Sequence, residues 1–253
     1  MTNKLKKELS IQVNLSGLSF CILNRSQKNT IEYLNSIVFA EKLTPFDTLN
    51  RLKEELASNT VFSEEFQNIN VLHYNELATL VPKSLYNEAN NAEYLKFNSK
   101  ILKTDFIASD ELKSRKIFSI YVPYVNINNY IFDTFGSFTF KHSSTVFIDA
   151  LSIENNNIGE GLFINIENQS MQVITIKNNE LSLYNYFEFS TPEDFIYYIL
   201  FTCEQEQLNP EKLYLKLFGT ITKEDDLYAI AYKYIRHVEL DDNSNNFLIK
   251  NSF

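Results

Sequence analysis

Ile11-Gln-Val-Asn-Leu-Ser-Gly-Leu-Ser-Phe20 and Leu162-Phe-Ile-Asn-Ile-Glu-Asn-Gln-Ser-Met171 align without a gap, Asn14 on Asn165 and Ser19 on Ser170. Such alternation of apolar and polar residues about a polar turn is the pattern of a half-buried β-hairpin. In the first copy, Leu9 to Asn14 and Leu18 to Leu23 are the arms around Leu15-Ser16-Gly17, with Gly17 expected at positive φ. Thr30 to Phe39 reads as a third strand. Thr44-Pro45-Phe46-Asp47 then starts a helix: a threonine N-cap, a proline at N1 and a carboxylate at N3 satisfy orphan amides and preset φ. The helix is expected to turn Phe46, Leu49, Leu52 and Leu56 inward, and Ile69 to Tyr74 follows as a strand.

The second half repeats this order. Leu162 to Ile166, Met171 to Ile176 and Glu180 to Phe187 read as strands, with Lys177-Asn178-Asn179 as a hairpin turn. Thr191-Pro192-Glu193-Asp194 is the same cap, and its helix is expected to bury Phe195, Ile196, Ile199, Leu200 and Cys203. Leu213 to Phe218 is a strand and Lys223 to Tyr234 a helix with Leu227, Ile230 and Ala231 inward. Asn14 to Thr44 is 30 positions and Asn165 to Thr191 is 26, so tandem β-β-β-α-β-α units differing by a short loop account for both halves. Between them, Pro82 to Asn98 is expected to be helical, Lys100 to Lys116 an exposed loop, Ile117 to Val122 a strand, Tyr124 to Phe135 a helix, Phe138 to His142 a strand and Ser143 to Leu151 a helix. The Asn/Gly stretch Glu154 to Gly161 is the expected linker, giving an N-terminal lobe 1–153 and a C-terminal lobe 154–253. Phe247-Leu-Ile249 is expected as a short strand or a surface dock.

With 253 residues, 44% apolar and 14% aromatic, the chain can bury a sizeable core and is not disordered by default. A formal charge of −9, with no basic run longer than Lys6-Lys7, argues against a nucleic-acid partner. No apolar stretch suits a signal or a span, so the expectation is a cytoplasmic protein without membrane insertion. Cys21 and Cys203 lie in apolar segments and read as small core residues, not a disulfide framework or a zinc site. His73, His142 and His237 stand singly and read as strand-end or core histidines. Glu54-Glu55, Glu64-Glu65 and Asp225-Asp226 are consecutive, so they read as solvated charges, not a facing acid/base pair. No Gly-x-Ser-x-Gly elbow occurs, which leaves open a triad assembled in space. The cluster Tyr184, Tyr186, Phe187, Phe189, Tyr197 and Tyr198 exceeds what one strand face and one helix face readily bury, so a self-association surface, and with it a homodimer, is expected.

The doubled order of elements resembles the actin-like ATPase superfamily, in which each lobe is a ribonuclease-H-like unit. More narrowly, Leu9-Ser-Ile-Gln-Val-Asn-Leu-Ser-Gly-Leu-Ser-Phe20, Leu80-Val-Pro82 and Tyr94-Leu95 to Asn98 resemble a family of uncharacterised proteins, found mostly in Bacteroidetes, with that fold and no assigned activity. The resemblance implies an α/β fold of two lobes, each with a mixed five-stranded sheet flanked by helices. In working members, each first strand carries an aspartate followed two positions later by glycine, and the turn wraps phosphates and magnesium. Carboxylates hold the metal's water shell, and glycine admits backbone amides to the phosphates. Here Asn14 and Asn165 take the aspartate positions and Ser16 and Glu167 the glycine positions. Gly17 sits beside the first turn. After Leu213 to Phe218, where the superfamily has paired glycines near adenosine, Gly219 stands alone before Thr220.

These residues are therefore expected to mark a degenerate nucleotide cleft, with no cofactor, no metal and no catalysis, in a scaffold that binds protein partners. The enzyme alternative is an ATP-binding or ATP-hydrolysing phosphotransferase with unusual metal ligands, Glu167 or Asp149 replacing the aspartates. A third reading is a small-ligand sensor that keeps an adenosine pocket without hydrolysis.

Overall fold

The computed structural model describes residues 6–154, 160–242 and 245–253. They fall into two compact units, one of Met1–Glu111, Ile117–Val146 and Leu248–Phe253, the other of Leu112–Lys116 and Phe147–Phe247. The division falls between Val146 and Phe147, inside a helix. The expected linker includes 155–159, which lie outside the described residues.

In the first unit, β1 (Lys7–Asn14) and β2 (Gly17–Asn24) form the hairpin, followed by β3 (Thr30–Val38), α1 (Pro45–Ser58) and β4 (Asn68–His73). An inserted segment carries β5 (Ala78–Pro82), α2 (Asn91–Lys96), β6 (Ala108–Leu112) and β7 (Ile117–Tyr121). Then come α3 (Val125–Phe135), β8 (Thr139–His142) and α4 (Ser143–Glu154), the last of which crosses the division. The main sheet is ordered β3-β2-β1-β4-β8, and the insertion forms its own sheet, β5-β7-β6. In the second unit, β9 (Glu160–Glu167), β10 (Ser170–Lys177), β11 (Glu180–Glu188), α5 (Pro192–Gln205), β12 (Tyr214–Gly219), α6 (Asp226–Tyr234) and β13 (His237–Leu240) build the sheet β11-β10-β9-β12-β13. The short helix α7 (Phe247–Lys250) ends the chain. Both five-stranded sheets thus share one topology: three antiparallel strands, then two parallel to the first.

Alternation decides what each sheet buries. Leu9, Ile11 and Val13 of β1, with Leu18, Phe20 and Ile22 of β2, pack on Leu52 and Leu56 of α1 and Ile127 and Ile131 of α3. Leu162, Ile164 and Ile166 of β9 do the same with Phe195, Ile199 and Cys203 of α5 and Ala231 of α6. Each such side chain contributes about 1.5–3 kcal/mol by leaving water. The other face of these strands is buried too but mixed, carrying the polar Ser10, Gln12 and Asn14 with Cys21 in one unit, and Asn165 and Gln172 with Phe163 and Ile174 in the other. The helix starts are as read: Thr44 accepts the Asp47 amide at 3.2 Å, and Thr191 with Asp194 makes a full capping box.

Several expectations are corrected. Phe46 is 68% exposed, because α1 turns Thr48, Leu52 and Leu56 inward instead. The Pro82 to Asn98 helix is a strand end, turns and the six-residue α2. Asparagine side chains compete for the backbone there, as when Asn87 takes the Ala89 amide at 3.1 Å. The Lys100 to Lys116 loop contains β6 and the fully buried Leu112. α6 begins at Asp226, since Asp225 caps back onto the Thr222 amide at 2.6 Å. Phe247 to Ile249 is a helical turn and is buried. Of the aromatic cluster, Phe189 is core and Phe187 stacks on Tyr198, whereas Tyr197 is exposed.

Candidate functional site

The two hairpin turns carry the residues that the resemblance singled out. In the first unit Asn14 pairs with Gly17, so only Leu15 and Ser16 form the turn. Gly17 lies in β2 and is not at positive φ, a correction: the turn closes through the Asn14 side chain, which accepts the Ser16 amide at 3.0 Å. The turn's carbonyls are held as well. Ser16 O accepts Phe39 N at 2.9 Å, and Leu15 O accepts Leu43 N at 2.8 Å.

The second hairpin is longer by two residues. Glu167 pairs with Ser170 across the turn Asn168-Gln169, while Asn165 sits inside the ladder opposite Gln172 and Phe218. The match of Asn165 to Asn14 therefore fails at the turn, where Glu167 holds the flanking place. A two-residue extension keeps alternation in phase, so Asn14, Asn165 and Glu167 all project from the mixed face of their sheets. Asn168 has φ +54°, and its amide donates to Thr220 Oγ1 at 3.3 Å. That hydroxyl donates to Ile166 O at 3.2 Å, which also accepts Thr220 N at 2.8 Å. Gly219, at φ +91°, would place a Cβ 1.9 Å from Ile166 O, so backbone packing alone requires glycine there.

Asn165 is fully buried, and neither its Oδ1 nor its Nδ2 has a hydrogen-bond partner among the described residues. Glu167 is 8% exposed, and Asp149 is half-buried in α4. No three His, Cys, Asp or Glu side chains converge as a metal site among the described residues. The residues present do not fit a magnesium nucleotide: the first turn-flanking place holds a neutral amide, Asn14, committed to its own turn, and the second holds Glu167, which belongs to no metal-binding cluster of three among the described residues. Two of the turn amides that would cradle phosphate are already bonded.

A polar cluster that sequence reading missed closes the carboxyl ends of β4 and β8, the sheet end where α/β folds place ligands. His73 and His142 are paired in register and fully buried. Ser144 N donates to His142 Nδ1 at 3.2 Å, which makes Nδ1 the acceptor and leaves Nε2–H to donate to Asn75 O at 3.2 Å. The Ser144 hydroxyl lies 2.7 Å from the same Nδ1, and Ser119 lies 3.0 Å from Ser144. His73 has the same tautomer, with Tyr124 N on Nδ1 at 3.3 Å and Asn128 Oδ1 2.9 Å from Nε2. Burial pushes both imidazoles down, to about 4 for His73 and about 3 for His142. Asp110 accepts from Tyr121 Oη, Thr145 Oγ1 and His142 N at 2.8–3.0 Å; burial still raises its carboxyl above the ordinary value. The Ser144–His142 pair has the geometry of a nucleophile and base, but Ser144, His142 and Ser119 have no exposed surface. The cluster is an anchor for the inserted sheet. The consecutive polar run His142-Ser-Ser-Thr145 in an otherwise apolar region was its one sequence signal.

Of the remaining single residues, His237 is exposed at the start of β13. Cys21 and Cys203 are buried free thiols, each raised to about 11 by desolvation. No helix among the described residues is long and apolar enough to cross a membrane.

The model of a protein family of unknown function, DUF3822, matches residues 1–238. The chain belongs to the DUF3822 family. This DUF3822 protein is similar to a Bacteroides thetaiotaomicron protein with actin-like ATPase fold and unknown function, at TM-score 0.86 and 21% identity over 99% of this chain and 96% of that one. It is also similar to the ethanolamine utilization protein EutJ from Carboxydothermus hydrogenoformans, at TM-score 0.56 and 6% identity over 97% and 88%. A chain of the PilM–PilN type IV pilus biogenesis complex matches at TM-score 0.58 and 13% identity over 92% and 88%. No curated protein sequence gives a significant match. At these identities the likenesses establish the fold: the DUF3822 protein has an actin-like ATPase, ribonuclease-H-like fold.

Proposed function

We propose that this DUF3822 protein is a non-catalytic actin-like scaffold, a protein-interaction module in which the phosphate grip has been converted to structure. The observation that carries the reading is the commitment of both hairpin turns: Ser16 N is held by Asn14, and Asn168 N by Thr220. An amide already bonded to a side chain must give that bond up to take a phosphate oxygen. Gly219 supports the same reading, since the Ile166 contact explains it without a ligand. Exposed Tyr197 and Phe201, stacked at 6.1 Å on α5, offer aromatic surface of the kind enriched at protein interfaces. The fold itself is compatible with such a role, as a similar chain occurs in the PilM–PilN complex.

One observation favours the phosphotransferase alternative: the unpartnered, buried Asn165 carboxamide is the sort of group a bound ligand or water satisfies. Thermal denaturation with millimolar ATP or ADP, with and without magnesium, separates the readings, because a ligand that binds only the folded state stabilises it by mass action. The scaffold reading expects an unmoved melting temperature. A magnesium-dependent rise of several degrees, lost in Asn165→Ala, would establish the alternative.

A further inference from the structure

Sheet edges expose unpaired N–H and C=O groups, and proteins guard them with short strands, proline, bulges or outward charges. Among the described residues six edge strands occur, and five are guarded by brevity, proline or charge. β8 and β13 are four residues long with Lys141 and Glu239, β5 ends in Pro82, β6 carries Asp110 and Glu111, and β11 has Glu180 and Glu188 at its two ends. β3 is different. It runs nine residues without lysine, proline or glycine, and its only charge, Glu32, is held by Lys7 at 2.9 Å and Asn24 at 2.6 Å on its own sheet. Its one irregularity is a bulge at its first end, where Glu32 is the extra residue opposite Ile22 and Leu23 of β2, so beyond it Tyr33 to Val38 is a regular, uncharged edge. Leu34 and Val38, with Ser36 between them, share one face and are 37% and 64% exposed.

We propose that this edge pairs with the same edge of a second copy, antiparallel about a two-fold axis at Ser36, joining two five-stranded sheets. A second copy is the fitting partner because the strand is self-complementary in that register. Leu34 meets Val38 twice on one face, Tyr33 meets Phe39 and Asn35 meets Ile37 on the other, and no charges of like sign face each other. About the equivalent residue of β11, Tyr186, the pairing would instead set the charged Glu188 against Tyr184, where β3 sets Val38 against Leu34. The proposal deepens the interaction-module reading by naming the partner. An edge this short buries less than the roughly 1,600 Å² of a standard interface, so the dimer should dissociate in the micromolar range.

Sedimentation velocity on the full chain across that range tests it, with circular dichroism and melting curves confirming that each variant folds. Wild type should shift from monomer to dimer with concentration. The Leu34→Lys, Val38→Lys and the Leu34→Glu, Val38→Glu double variants should each stay monomeric, and an equal mixture of the two should associate again, since every 34–38 pair then carries opposite charges. A wild type that stays monomeric overturns the proposal, as does a dimer that survives the lysine substitutions or a mixture that fails to associate. Nucleotide titration of the same samples reads the scaffold proposal separately, so the two can fail independently.

Discussion

Gly219→Ala isolates the reason for the one glycine left where the superfamily grips adenosine. An added Cβ would lie 1.9 Å from Ile166 O and 2.8 Å from Ile166 N and C, at a backbone φ of +91°. The conformation itself costs a residue with a Cβ about 1–3 kcal/mol. Ile166 O can retreat only by weakening two hydrogen bonds, from Thr220 N at 2.8 Å and Thr220 Oγ1 at 3.2 Å, each worth about 1 kcal/mol. The expected loss is therefore about 3–5 kcal/mol, a large part of the stability of an ordinary domain. Gly136→Ala is the control, since Gly136 also has positive φ, +82°, yet nothing lies within 4 Å of its Cβ position. Urea denaturation followed by circular dichroism should place Gly219→Ala about 2 kcal/mol below Gly136→Ala. Equal losses would mean that the Ile166 contact adds nothing to the cost of the backbone conformation. A Gly219→Ala protein as stable as wild type would return that glycine to a ligand role.

Asn165→Leu removes the unpartnered carboxamide and should leave stability unchanged or raise it by about 1–2 kcal/mol; a clear loss in urea denaturation would mean that the amide has a partner in solution. Acid should weaken the fold through the two buried imidazoles, whose folded values of about 4 and about 3 lie below the ordinary 6.5. The unfolded chain then takes protons first, so this stability is whole above pH 6.5 and drains as pH falls toward 4 and 3; His73 alone accounts for about 3 kcal/mol. Asp110, raised in the fold, takes its proton more readily when folded and offsets part of the loss. Urea midpoints that stay flat from about pH 7 to about pH 5 would contradict this.

The hairpins and helix caps were legible because their signals are local: alternation about a short polar turn, and Thr-Pro-x-Asp. The length of the second hairpin was not. Adding two residues leaves alternation in phase, so Asn165 and Glu167 compete for the turn-flanking place on equal terms until the Glu167–Ser170 pairing decides it. β5 and β6 were hidden by their brevity, and β6 further by its inward polar residue, Asp110, whose partners Tyr121, His142 and Thr145 lie 11 to 35 positions away. The β3 edge could not be read either, since Glu32 has the look of a guard charge until Lys7 is seen to hold it. Asn14, Ser16 and Glu167 were legible as residue types beside two turns. That Asn14 holds the Ser16 amide and Thr220 the Asn168 amide was not, since the second contact joins residues 52 positions apart.

In the proposed scaffold the two turns hold no nucleotide. Isothermal titration calorimetry of the folded protein with magnesium-ATP tests it most directly. Heats no larger than dilution are expected up to millimolar ATP; a saturable, magnesium-dependent heat that disappears in Asn165→Ala would overturn the scaffold proposal.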